Sequence, residues 1–162
     1  MTSPHATPGI VVPWMARQRW FANKGALPDL EEIGSWTYAS DEAGVQVGTH
    51  LLLDHTKGKP ALYQVPLTHR DAPLESSDAL VGHADGTWIY DGPHDPAFTR
   101  ALLAVMVEGT EVTGDRTWVI GRHTAGDVDP GLRSRGLTGE QSNTSIIYEA
   151  PGATPLIVKL FR

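Results

Sequence analysis

GLTGEQSNTSIIYEAPGATPLIVKLFR, residues 136–162, alternates between β-forming and turn chemistry. It reads as a strand over 132–138, a polar turn over 139–145, a strand over 144–149, a Pro/Gly turn over 150–155 and a third strand over 156–161. The first turn is dense in hydrogen-bonding groups: Glu140, Gln141, Ser142, Asn143, Thr144 and Ser145. Lys159 sits mid-strand among Ile157, Val158, Leu160 and Phe161. Strand alternation puts it on one face with Ile157 and Phe161, opposite Val158 and Leu160. A lysine in apolar company is costly unless its ammonium meets water or an anion.

Outward from this segment the chain punctuates itself. Residues 9–21 read as a helix with Ile10, Trp14, Arg17 and Phe21 near one face, Pro13 in its first turn and Gly25 as a left-handed stop. Strands are predicted over 30–39, 45–54 and 61–70, with turns at 41–44 and 57–60, which suits an antiparallel meander. A hairpin follows, 80–83 with 87–90, closed by Asp85-Gly86. Residues 91–96 (DGPHDP) are the main break, and Asp95 before Pro96 can cap a helix carrying Phe98, Leu102, Leu103 and Met106. Beyond Gly109 a strand is predicted at 117–121 before the quoted segment. The fold class is α+β: an amino-terminal unit over 1–91, then a linking helix and a second sheet over 92–162.

Composition excludes several classes. The net charge is −6, with 13 basic and 19 acidic residues, which argues against nucleic acid or an anionic membrane as partner. No apolar run reaches the roughly 20 residues that span a bilayer. With no cysteine there is no thiolate or disulfide chemistry, and no leader pattern opens the chain, so a cytoplasmic setting is expected.

A polar loop between two strands and a lysine on the next strand is the layout by which kinase amino-terminal lobes hold nucleotide phosphates. Here the loop has one glycine, Gly139, so side-chain hydroxyls and amides would supply the donors. The alternative is a polar hairpin turn and a lysine that reaches solvent. The run from Glu140 to Ser145, followed by a hairpin and Ile157-Val158-Lys159-Leu160-Phe161-Arg162, resembles the phosphate loop and strand-three lysine of maltokinases and their trehalose-synthase-fused relatives. The opening, Trp14 and then Arg17-Gln18-Arg19-Trp20-Phe21-Ala22-Asn23-Lys24, is similar to that family's start. Asp91 with Asp95-Pro96 resembles its joint between cap and next subdomain. Asn23, Asp127 and Asp129 are mild departures.

The resemblance implies an amino-terminal cap followed by the first strands of a protein-kinase-like lobe. It implies that Lys159 contacts the α/β-phosphates of ATP, under a flap formed by Gln141, Ser142, Asn143, Thr144 and Ser145. Ile146 and Val158 become candidate walls for the adenine. The implied reaction is phosphorylation of a sugar, with maltose giving maltose 1-phosphate. Glucosamine or another amino sugar is the alternative acceptor. The catalytic aspartate and the Mg²⁺ ligands would come from the protein's own C-terminal lobe, so the chain is expected to be part of a longer protein and inactive alone. Trehalose synthase is a candidate partner. A reading from another class, a non-catalytic cap serving assembly, stays open.

Remaining motifs carry less. No histidine pair has metal-ligand spacing, and the seven histidines read as solvated or singly hydrogen-bonded. The acidic pairs Glu31-Glu32, Asp41-Glu42 and Asp127/Asp129 read as solvated, and Ser76-Ser77 lacks a nucleophile motif. Trp14, Trp20 and Phe21 read as core anchors, with Arg17 and Arg19 pairing local acids or docking a partner.

Overall fold

The first sheet is built around its two most buried strands. In β2 (Val45–Asp54) and β3 (Ala61–Arg70) both faces are largely buried, so this pair forms an interior wall. The computed structural model describes residues 8–75, 77–138 and 142–162. β1 (Leu30–Tyr38), β2 and β3 form the predicted antiparallel meander, in register from Leu30 opposite Asp54 and from Val45 opposite Arg70. The hairpin β4 (Leu80–Ala84) and β5 (Thr87–Asp91) docks through its second strand, giving the order β1-β2-β3-β5-β4. Its turn holds Asp85 and Gly86 at φ 50° and 78°, the left-handed pair that a two-residue hairpin needs.

Helix α1 (Pro8–Met15) is shorter than the 9–21 expected, and Pro13 lies inside it rather than in its first turn. The chain tightens into i→i−3 bonds, Arg17 N to Trp14 O and Gln18 N to Met15 O, while the Gln18 amide donates to Trp14 O. Those carbonyls are thereby satisfied without another helical turn. Val11, Trp14, Met15, Trp20 and Phe21 pack on one face of the sheet with Leu52, Tyr63, Val65 and Leu67.

The opposite face takes α2 (Pro96–Glu108). Asp95 accepts from Ala97 N at the helix start, Pro96 follows it, and Gly109 closes the end at φ 66°. Phe98, Ala101 and Leu103 join Trp36, Tyr38, Val45 and Val47 in a second core. β6 (Glu111–Thr113), a strand without a predicted counterpart, pairs with β7 (Trp118–Ile120). β8 (Arg133–Gly136), β9 (Asn143–Glu149) and β10 (Leu156–Phe161) form a second sheet in the order β10-β9-β8. Ile146 and Tyr148 carry its inner face into the core of α2. The Tyr148 hydroxyl donates to Thr99 O at 2.7 Å.

Two expectations about polar residues are corrected. Asp41 and Glu42 are not merely solvated, because both bind Arg100 and Glu42 also binds Arg70. Among the histidines His69 departs from the expectation, whereas His50 fits the singly hydrogen-bonded reading; both are buried, on β3 and β2, on the face covered by the first core. His50 Nδ1 lies 3.3 Å from Glu32, and neither ring nitrogen of His69 has a partner.

Candidate functional site at the cap–hairpin seam

The β9–β10 hairpin places the predicted residues. Lys159 is paired directly with Ser145, Ile157 with Ile147 and Phe161 with Asn143, so these six side chains share one face. Arg135, paired with Ile147, and Arg133, paired with Glu149, extend that face on β8. Lys159 is exposed, which removes the desolvation cost that its apolar neighbours suggested. Ile157 and Phe161 beside it are 65% and 69% exposed. The face is therefore an open surface combining a free-standing ammonium with apolar side chains.

Of the predicted flap, Gln141 lies outside the described residues, as do Gly139 and Glu140. Ser142 is exposed at the mouth of the hairpin, and Asn143 opens β9. Thr144 and Ser145 are buried, at 5% and 3% exposure, so their side chains are not both loop donors to solvent. Thr144 faces inward and accepts from Arg162 Nε at 3.1 Å. The adenine-wall candidates also change. Ile146 is fully buried and Val158 packs against the same core, both opposite Lys159. Ile147, Ile157 and Phe161 are the apolar side chains that accompany the lysine. Parity decides this: a residue one step from Lys159 along its strand faces the other way.

Behind the hairpin lies a cluster that motif reading missed. Arg162 turns inward on the parity of Leu160. Its Nη2 donates to both oxygens of Asp91 at 2.8 and 2.6 Å, and its guanidinium lies 4.8 Å from the centre of the Trp20 ring. The pair is buried, with the Arg162 side chain 1% exposed. His94 approaches Asp91 at 3.9 Å, and burial, despite that carboxylate, holds its pKa below the usual value. A cleft of about 510 Å³ opens here, lined by Arg17, Gln18, Arg19, Trp20, Asn143 and Arg162 among others. Alternation was the available signal, since it directs Arg162 toward the cap, but nothing local names Asp91 or Trp20 as its partners.

The joint itself is fixed by contact. After β5 a 3-10 turn, Gly92–His94, leads to Asp95, which accepts Arg70 Nε and Nη2 at 2.7 Å each and the Thr68 hydroxyl. Burial raises the Asp95 pKa, yet the Arg70, Thr68 and Ala97 hydrogen bonds outweigh it and hold the group ionised below its ordinary value. Gly136 of β8 lies against this turn so closely that a Cβ would stand 2.6 Å from both Pro93 O and His94 Nδ1. Among the described residues no three His, Cys, Asp or Glu side chains converge as a metal site, and no helix is long and apolar enough to cross a membrane.

A family model described as the maltokinase N-terminal cap domain matches residues 14–95. The match runs from Trp14 in α1 through the whole five-stranded sheet to the capping Asp95, just over half of the chain. The sheet with its aromatic anchor and the acid-capped joint are thus the parts shared with relatives, and the chain belongs to the maltokinase family through its N-terminal cap domain.

Proposed function

We propose that this chain supplies the cap and the first nucleotide-holding strands of an ATP-dependent sugar kinase that converts maltose to maltose 1-phosphate. The observation that carries the reading is the exposed ammonium of Lys159, paired across the hairpin from Ser145 and flanked by the exposed side chain of Ile157. A cation at phosphate reach beside uncovered apolar surface fits a nucleotide, whose triphosphate and base need those two surfaces. Ser142 and Asn143 stand at the hairpin mouth, where an amide and a hydroxyl can donate to phosphate oxygens; Gln141 completes the flap in this proposal. Mg²⁺ would come with the nucleotide and with ligands from a C-terminal lobe.

In this reading the 1–91 cap and the 92–162 segment act in a cytoplasmic enzyme whose acceptor site and catalytic aspartate belong to that lobe, with trehalose synthase as a candidate partner. The chain alone would transfer no phosphate. Lys159 would act as a point charge that orients the α/β-phosphates for in-line transfer. The test is phosphorylation by the full-length protein of maltose and, separately, of glucosamine. Maltose turnover that falls about 10²-fold or more in Lys159→Ala, with an unchanged melting temperature, is the expected result. Glucosamine as the preferred acceptor would move the substrate to an amino sugar. No transfer to either sugar, with the protein still engaging a partner enzyme, would replace the kinase by an assembly module.

A further inference from the structure

The hairpin that carries Lys159 has two faces, and the second is tied to the cap through one side chain. Arg162 lies three residues past Lys159 on the same run of chain, so it faces inward where Lys159 faces out. Its guanidinium meets three separate parts of the molecule. Nη2 grips Asp91, the last residue of β5 and the start of the joint. Nε reaches Thr144, which is paired with Leu160 and stands next to Ser145 on the strand leaving the predicted phosphate loop. The plane lies over Trp20, which belongs to the aromatic core beneath the first sheet and stacks edge-on with Trp14 at 5.7 Å.

A surface arginine would make such contacts fleetingly. This side chain is 1% exposed, and its partner Asp91 is 7% exposed, so the charges are held together out of water. The desolvation cost of such a pair offsets much of its attraction, so its net stabilisation is small. The remaining nitrogen, Nη1, is buried with no partner, so the position is set by Asp91, Thr144 and Trp20 and not by a saturated network. A second contact runs in parallel, from the Gln64 amide to Phe161 O at 2.9 Å, again from the first sheet to β10.

We infer that Arg162 is a positioning residue through which the cap sets the placement of Lys159: Trp20 and Asp91 fix the guanidinium, and the guanidinium fixes the register and tilt of β10 against Thr144. The inference rests on Lys159 being the phosphate ligand. The cap then contributes to nucleotide binding without touching the nucleotide, and a change at Trp20 reaches the site through packed atoms.

The experiment is steady-state kinetics of the full-length protein, varying ATP and sugar separately. Trp20→Leu removes the aromatic face and should raise KM for ATP about tenfold with KM for sugar unchanged; Trp20→Phe should stay within about threefold of the parent, since a smaller ring still offers a π-face. Arg162→Gln combined with Asp91→Asn replaces the ion pair by a neutral one and leaves no lone buried charge if Trp20→Leu fails to fold. It should give the same rise for ATP alone. Adding Trp20→Leu to that pair should raise KM for ATP little further, because both act on one linkage. An unchanged KM for ATP, or equal changes for both substrates, in the neutral-pair variant would overturn the coupling. Lys159→Ala with an unchanged KM for ATP would instead overturn the nucleotide reading beneath it.

Discussion

Asp95 and His69 show how differently two buried ionisable side chains behave in this protein. Asp95 is fully buried but satisfied four times over, by Arg70 twice, by Thr68 and by Ala97 N. Asp95→Ala removes a helix cap and leaves the buried Arg70 guanidinium with Glu42 alone, which should cost about 2–4 kcal/mol in urea unfolding. Arg100→Ala, whose half-exposed side chain holds Asp41 and Glu42 at the surface, should cost under about 1 kcal/mol in the same measurement. His69 has no hydrogen-bond partner, and burial, helped by His50 nearby, lowers its pKa from 6.5 to about 4. Between those values the unfolded chain binds a proton that the folded chain refuses. Stability should therefore fall as pH drops from 6.5 toward 4, by up to about 1.4 kcal/mol per pH unit. His94, whose pKa burial also lowers, adds to the loss below pH 6.5, and Asp54, Asp95 and Glu42, with lowered pKa values, add theirs as pH falls through and below the ordinary carboxylate values. His69→Gln should flatten the upper part of the profile. An unaltered slope between pH 6.5 and 4 would assign the loss to other groups.

Among the elements, the strands were easier to read than the helices. β2, β3 and β10 occupy the residues that alternation and turn chemistry assigned, because a period of two bounded by Gly, Pro and Asp leaves few alternatives. α1 misled because Arg17 and Phe21 continue the helical spacing, although the chain already turns after Met15 to bring Trp20 and Phe21 under Tyr63. Aromatic packing decided that boundary, and spacing cannot express it. β6 is only three residues long and pairs with β7, and just beyond it Asp115 exchanges backbone hydrogen bonds with Ser35 of β1, so its place depends on a partner distant in sequence. The contact of β8 with the joint is open to a direct test. Gly136→Ala inserts a methyl group where Pro93 O and His94 leave no room, so it should destabilise the chain by about 1–3 kcal/mol by thermal melting. A neutral result would mean that β8 can shift away from the joint freely.

At the scale of the whole molecule, the five-stranded sheet is a shared wall. Its one face closes the aromatic core of Trp14, Trp20 and Phe21, and its other face closes the core of Phe98, Ile146 and Tyr148. Arg70 on β3 reaches Asp95 at the head of α2, and Arg162 beyond β10 reaches Trp20 in the cap. The cap and the β9–β10 hairpin are thus expected to unfold together. Tryptophan fluorescence and far-ultraviolet circular dichroism should report coincident urea midpoints, and two separated transitions would show the two cores to be independent.

The amino-acid sequence by itself determined the α+β class, the strands other than β6, the capped helix after Asp95, the direction of Lys159 and a family resemblance that the cap-domain match at residues 14–95 supports. These are local properties: side-chain parity, turn residues and caps act over a few positions. Tertiary structure decided that Ile147 joins Ile157 on the Lys159 face, where β5 inserts, that Thr144 points inward, and that Arg162 meets Asp91 and Trp20. Those outcomes depend on contacts between residues up to 142 positions apart, Trp20 and Arg162 being the extreme. No pattern within one strand specifies the partner across such a distance. It is set only when both cores close on the common sheet and leave a single place for the guanidinium.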